Sequence, residues 1–169
     1  LMDSRRSDAV LVPLVEREGA LSLLYEVRAR TLRRQPGEVC FPGGRMESGE
    51  TPEVCALRET FEELSIPPEG VRLLGRLDFI AHRANFLMHP VVGVVEEDAL
   101  RAMRPSAAEV EEVFFVPLSY LLKMPPIEYT YELVPTPAEH FPYELIGIPK
   151  DYPWQKGREN VPVYPWEGR

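Results

Sequence analysis

The sequence predicts an α/β fold for its 169 residues, and three observations carry the prediction. Short apolar runs that alternate with polar residues recur along the chain, the period of half-buried strands. Among them lies one strongly marked helical segment, residues 51–64. A glycine- and arginine-rich stretch that obeys neither period leads into that helix. A chain of this length forms one domain and buries a core without crosslinks.

The elements follow in order. Leu11, Val12, Leu14 and Val15 read as a strand around Pro13, and Gly19 marks a turn. Leu21, Leu23, Tyr25 and Val27 alternate as a second strand, so the two form a hairpin. From Arg28 to Gly49 no period holds, and a long irregular segment inside a small domain is functional or disordered. Cys40 and Phe41 argue that this one is anchored. Thr51 is a good N-cap and Pro52 suits the first helical position. The helix runs to about Leu64, with Pro67 and Pro68 beyond it. Val71–Ile80 and Phe86–Val95 read as strands, Asp98–Met103 as a helical turn, Val113–Val116 as a strand and Ser119–Lys123 as a short helix. Much of the chain's proline, 18 residues in all, gathers near the end, which predicts a loop-rich region. The aromatics interleaved there, from Tyr129 to Trp166, are expected to pack.

Composition narrows the function. The 27 acidic residues outnumber the 19 basic ones for a net charge of −8, which argues against non-specific nucleic-acid binding. No apolar run approaches the roughly 18 residues of a membrane span. With two cysteines, Cys40 and Cys55, a small disulfide scaffold is ruled out, and with no leader pattern at the start the expected location is cytoplasmic. Both cysteines read as small buried or half-buried residues. His82, His89 and His140 have no metal-ligand spacing.

The informative run is the helix. With Glu59 at zero and about 100° per residue, Glu62 lies at about −60° and Glu63 at about +40°. Val54, Leu57, Phe61 and Leu64 fall on the opposite side, the expected core stripe. Three carboxylates at such spacing repel one another. Arg58 reaches Glu62 four residues on, but one arginine cannot balance three acids. A divalent cation can, and oxygen ligands suit Mg²⁺ or Mn²⁺ better than zinc. Just upstream, Gly43 and Gly44 let backbone approach a ligand closely.

In this register the chain resembles the Nudix hydrolases, whose signature is G-x5-E-x7-R-E-U-x-E-E-x-G-U, with U a bulky aliphatic residue. Gly44, Glu50, Arg58, Glu59, Glu62, Glu63 and Ile66 match. Thr60 stands where an aliphatic residue is usual, and Ser65 replaces the last glycine. The upstream segment is similar to the motif of the coenzyme A pyrophosphatases in that family, L-L-T-x-R-S-x-x-L-R-x-H-x-G-E-V-x-F-P-G-G. Arg28, Leu32, Arg33, Gly37, Glu38, Val39, Phe41, Pro42, Gly43 and Gly44 match; Tyr25 and Glu26 replace Leu-Thr, and Gln35 replaces His. The resemblance covers roughly residues 10–120, with a weaker echo at 164–168.

The resemblance implies a Nudix-type α/β/α sandwich with a mixed β-sheet. It implies one domain over residues 1–169, in which the relatives' final helix has no counterpart. It implies hydrolysis of the diphosphate of coenzyme A, or of a CoA derivative, to 3′,5′-ADP and 4′-phosphopantetheine, with Mg²⁺ or Mn²⁺. Glu59, Glu62, Glu63 and the Gly43 carbonyl are the candidate metal ligands. Arg58 orients the acids, and Glu112, in the run Glu109–Val–Glu–Glu112, is the leading later candidate for general base. Arg28 and Arg33, with Gly43 and Gly44, are the candidate substrate contacts; Arg34 ranks below them. The expected partner is a small nucleotide, with no nucleic acid and no membrane; a homodimer is compatible with the sequence. The alternatives are a Nudix pyrophosphatase for ADP-ribose or NADH, and a non-catalytic nucleotide-sensing module of the same fold.

Overall fold

β1 (Arg6–Arg17) is the strand on which the fold is organised. The computed structural model describes residues 6–82 and 86–168; Leu1, the side chain of His82 and Arg169 lie outside the described residues. β2 (Ala20–Arg28) folds back on β1 in the expected hairpin, with Leu14 opposite Leu23 and Arg17 opposite Ala20. Glu18 and Gly19 make the turn at φ of 53° and 75°, the left-handed conformations that tight hairpins require.

The irregular arginine- and glycine-rich segment contributes two short strands, β3 (Val39–Cys40) on β2 and β4 (Gly43–Arg45) on the first half of β1. The helix follows as α1 (Pro52–Leu64), its Val54 amide donating to the Thr51 hydroxyl oxygen. The stretch read as one strand over 71–80 is two, β5 (Val71–Arg76) and β6 (Ile80–His82). Both run antiparallel to β7 (Phe86–Val95), which lies parallel to β1 with Leu11 opposite Val91. After α2 (Glu97–Ala102), β8 (Val110–Pro117) adds antiparallel to β2 and leads into α3 (Leu118–Lys123). One parallel pairing among antiparallel ones makes the sheet mixed, as expected.

The core lies between this sheet and α1. Ala9, Leu11, Val15, Leu24, Val91 and Val95 from the strands meet Cys55, Ala56 and Leu64 from the helix, and Ile66 just after it. The face that α1 buries is not the expected one. Val54 and Phe61 are 53% and 51% exposed, while Pro52, Cys55, Ala56, Thr60, Glu63 and Leu64 are buried. The helix is rolled so that one of its acids faces the sheet.

The structure accommodates both departures from the signature. Thr60 is fully buried, and its hydroxyl donates to the Ala56 carbonyl at 2.6 Å, so a polar residue sits in an apolar seat without an orphaned group. Ser65 caps the helix at φ 58° and ψ 27°, a conformation for which glycine is the usual residue.

The chain divides into two compact units, Leu1–Leu122 and Lys123–Arg169, where the sequence reading has one domain over 1–169. The second unit holds an antiparallel pair, β9 (Ile127–Leu133) and β10 (Gly157–Val163), and between them the short α4 (Tyr143–Ile146). The expected loop-rich region therefore contains a seven-residue ladder. Its aromatics pack on one another: Phe141 meets Tyr143 and Trp154 edge-on at 4.9 and 5.5 Å. None of its described residues is buried.

Candidate active site

A cleft of about 920 Å³ opens in the first unit beside α1. Glu59 and Glu63 from α1 are on its lining, together with Gly43 and Gly44 of β4. Arg6, Arg28 and Arg34 lie on its lining, with Phe41, Phe86 and Met88 as apolar surface. A shallower depression of about 540 Å³ in the second unit, lined by Phe141, Tyr143 and Lys150 among others, has no such grouping of acids.

The glycine pair is a packing requirement. A Cβ on Gly43 would stand 2.4 Å from the Ala9 carbonyl oxygen, and one on Gly44 would stand 2.5 Å from the Glu59 carboxyl carbon. Gly43 meets backbone and admits no side chain against β1, whereas a side chain on Gly44 would push aside the Glu59 carboxyl. The Gly43 amide then donates to Glu63 Oε2 at 2.8 Å.

Arg58 binds the outer acids. Its Nε and Nη2 donate to the two oxygens of Glu50 at 2.8 and 3.1 Å, and Nη1 donates to Glu59 at 2.9 Å and to Glu62 at 3.3 Å. The fork holds the Glu50 carboxyl down at about 2. Glu50 is thus the partner that two nitrogens of Arg58 share. It also spreads the acids. Glu62 is exposed and drawn outward, while Glu63 faces the sheet. Among the described residues, no three histidine, cysteine, aspartate or glutamate side chains are gathered as a ready cation site. The narrow shared arc of Glu59, Glu62 and Glu63 is thus opened, by Arg58 on one side and the Gly43 amide on the other.

The inner acids are in a different state. Glu63 is 5% exposed; burial first, then the charge of Glu26, pushes its carboxyl up to about 9. Glu26, on β2, is fully buried. Burial raises it to about 7, although the Cys40 thiol, donating at 3.4 Å, and Arg28 pull the other way. Glu59 is also raised, by burial first. Burial pushes the thiols of Cys40 and Cys55 to about 12, so both are inert, protonated residues.

Of the residues singled out from sequence, Glu59, Glu63, Arg28, Gly43 and Gly44 line the cleft, while Glu62, Arg58, Arg33 and Glu112 are not on its lining. Arg34 and Glu109 are on it instead. Glu109 belongs to the same acidic run as Glu112, and its carbonyl accepts the Ala29 amide at 2.8 Å, which holds it beside the end of β2. Glu26 was not foreseen. The signal was its place in a strand pattern, an acid at an inward position between Leu24 and Arg28. The residues fit a hard divalent cation in kind: the donors are oxygens, and one buried carboxylate oxygen, Glu26 Oε2, has no hydrogen-bond partner. Glu59 and Glu63 are the residues that would hold it.

Fold and site together set an acidic helix beside a cleft that also carries arginines, and comparison with known proteins gives the class its name. The NUDIX domain family model matches residues 5–134, and the chain belongs to the Nudix family. A Nudix hydrolase of Caenorhabditis elegans is 42% identical over 123 residues, 72% of this chain and 51% of that protein. A peroxisomal coenzyme A diphosphatase of Mus musculus is 44% identical over 115 residues, 68% of this chain and 48% of that protein. The chain thus spans about half the length of these relatives. Among solved structures, the Nudix hydrolase RenU of M. smegmatis shares the fold, with a TM-score of 0.56 and 22% identity over 70% of this chain and 74% of that one.

Proposed function

We propose that this protein is a metal-dependent diphosphatase that hydrolyses coenzyme A, or a CoA derivative, to 3′,5′-ADP and 4′-phosphopantetheine. The observation that carries the reading is a cleft lined by both acids and arginines: Glu59 and Glu63 with Arg6, Arg28 and Arg34. A diphosphate needs both: cations to neutralise its oxygens, and guanidinium forks to bind them. The choice of CoA rests on the upstream motif, whose Arg28, Val39, Phe41, Gly43 and Gly44 all line this cleft, and on the likeness to a relative named as a coenzyme A diphosphatase.

A bound Mg²⁺ or Mn²⁺ supplies charge neutralisation and a more acidic water. The chain's own residues do the rest. Glu59 and Glu63 hold the cation, with Glu62 in reserve and the Gly43 carbonyl as a further oxygen. Arg58 positions Glu59 through its hydrogen bond. A water oxygen forms a bond to one phosphorus, the bridging P–O bond breaks, and the bridging oxygen leaves with the other phosphate. The water's proton passes to a carboxylate; Glu109, on the lining, is a better-placed base than Glu112. Arg28 and Arg34 receive phosphate oxygens. The substrate is a small nucleotide, and we assign the protein to the cytoplasm on its two unpaired cysteines; no helix among the described residues is long and apolar enough to cross a membrane.

The test is product identification by mass spectrometry after incubation with CoA and Mg²⁺ or Mn²⁺ in ¹⁸O-water. The expected result is 3′,5′-ADP and 4′-phosphopantetheine, one of them carrying ¹⁸O. Equal or faster turnover of ADP-ribose or NADH would transfer the assignment to a different diphosphate. Tight nucleotide binding without product would make it a sensing module.

A further inference from the structure

Two buried polar atoms beneath the cleft have no hydrogen-bond partner among the described residues, and their residues stand two positions apart on β2: Glu26 Oε2 and Arg28 Nε. Buried polar groups are nearly always satisfied, and each exception needs a reason. Residues two apart on a strand share a face. Here that face meets Glu63, whose Oε1 lies 4.0 Å from Arg28 Nη1.

The backbone explains how the arginine comes to be there. The pairing of β2 with β8 shifts register between Val27 and Arg28, and such bulges re-aim side chains. The Arg28 amide donates to the Glu38 carbonyl at 2.9 Å, and its carbonyl accepts from the Gly37 amide at 3.0 Å. The strand end is therefore pinned while the guanidinium is held loosely, at the outer limit of an ion pair. Arg58 is the contrast: Nε and both Nη atoms are committed to carboxylates at 2.8–3.3 Å. One arginine is built to stay and the other to move.

We propose that Arg28 is an exchangeable positive charge, standing beside Glu63 and Glu26 in the cation-free protein and displaced by a divalent cation arriving at Glu63, which frees its guanidinium for the substrate's phosphates. The proposal rests on the cation-dependent diphosphatase reading and deepens it. A single positive charge beside a doubly charged ion is repelled, so cation binding and arginine release are one reciprocal exchange. Glu26, which stands where the resembling motif has threonine, stays behind the displaced guanidinium as its tether. Arg28 is thus first a competitor of the cation and then a contact for the substrate.

The test uses the metal alone. Mn²⁺ is titrated calorimetrically into the parent protein, Arg28→Met, Arg28→Lys and Arg34→Met, with folding checked by circular dichroism. Arg28→Met is expected to bind Mn²⁺ about tenfold more tightly, the size of an ordinary coupling between two sites. Arg28→Lys keeps the charge, and Arg34→Met removes one from the same lining; both are expected to stay within about threefold of the parent. Unchanged or weaker binding by folded Arg28→Met overturns the proposal, as does equal tightening by Arg34→Met. In the parent itself, the Arg28 Nε–H resonance is expected to shift and exchange faster on adding Mg²⁺; a resonance that does not move also overturns it, whether or not the methionine variant folds. CoA hydrolysis run in parallel separates the two readings. Product formation without the Arg28 response sinks the exchange alone. The response without product from any nucleoside diphosphate sinks the enzyme assignment alone.

Discussion

The outer and inner sides of the acidic helix carry the same chemical group in opposite conditions. Outside, Glu50, Glu59 and Glu62 share one arginine whose three nitrogens are all engaged. Inside, Glu63 and Glu26 are buried against each other with only a loose arginine between them. On the outer side Arg58 neutralises Glu50 and reaches Glu62, while Glu59 stands between the two sides, held by Arg58 and on the cleft lining. The inner side has less positive charge beside it, and on the proposed reading a divalent cation would supply it. A fold that spent its charge pairs evenly would be more stable without a cation and would have less affinity for one.

The contrast is broken most severely at Glu63. Glu63→Gln is expected to lower kcat for CoA hydrolysis by about 10³-fold, the scale of removing one preorganised electrostatic group. The same change is expected to raise the thermal midpoint of the cation-free protein at pH 8, because a neutral amide replaces a carboxylate that burial disfavours. Near-normal turnover in the folded variant would remove Glu63 from the chemistry.

The next largest effect is on the outer side. Arg58→Met leaves Glu50, Glu59 and Glu62 without their shared partner, and is expected to cost about 10–100-fold in cation affinity or activity, as loss of a residue that orients a ligand does. It is also expected to lower the thermal midpoint, the reverse of the Glu63 result. If both variants shifted stability in the same direction, the two sides would not differ as argued.

A third measurement follows stability with pH. The carboxyls of Glu26 and Glu63 stand at about 7 and about 9 in the folded protein, against 4.5 ordinarily. A raised carboxyl holds its proton better when folded, so its contribution is full below about 4.5 and is lost as pH rises through 7 and 9. Glu50 and Glu53, held down at about 2 by Arg58 and Arg76, act in the opposite sense: their contribution is full above about 4.5 and lost as pH falls toward 2. Mg²⁺ takes over the neutralisation inside, so the rise in thermal midpoint on adding Mg²⁺ should grow between pH 5 and 9. A Mg²⁺ effect flat with pH would erase the distinction between the sides.

The smallest expected effect is at the end of the helix, away from both. Ser65→Gly relieves a left-handed serine, worth roughly 1–2 kcal/mol, and loses the hydroxyl bond donated to the Arg104 carbonyl at 2.9 Å, worth about 1 kcal/mol. The thermal midpoint is expected to rise by no more than a few degrees, with hydrolysis unchanged. A clear fall would mean that the Arg104 contact matters more than the backbone conformation.

Much of this was legible in the chain. The hairpin turn at Gly19, the cap at Thr51 and the strand over 86–95 are local patterns, and the structure follows them. The face of α1 that packs was misread, because Val54 and Phe61 look like a core stripe and yet lie half-exposed. Periodicity shows that a helix has an apolar side; it does not show how far the helix is rolled on the sheet. The roll is set by β4, whose glycines let Glu59 and Glu63 approach, and by the small residues Cys55 and Ala56. The hairpin of the second unit was missed because prolines and turn residues mask a ladder in which Tyr129 opposes Val161.

Spacing along one helix and one loop determined the signature and set Arg58 within reach of its acids, because those depend on residues close to one another in the chain. Only the tertiary structure decided which acid is buried and which arginine stands beside it. Glu26 and Arg28 lie more than thirty residues from Glu63 in the chain, and burial raises the cost of a charge by an amount that no local pattern records.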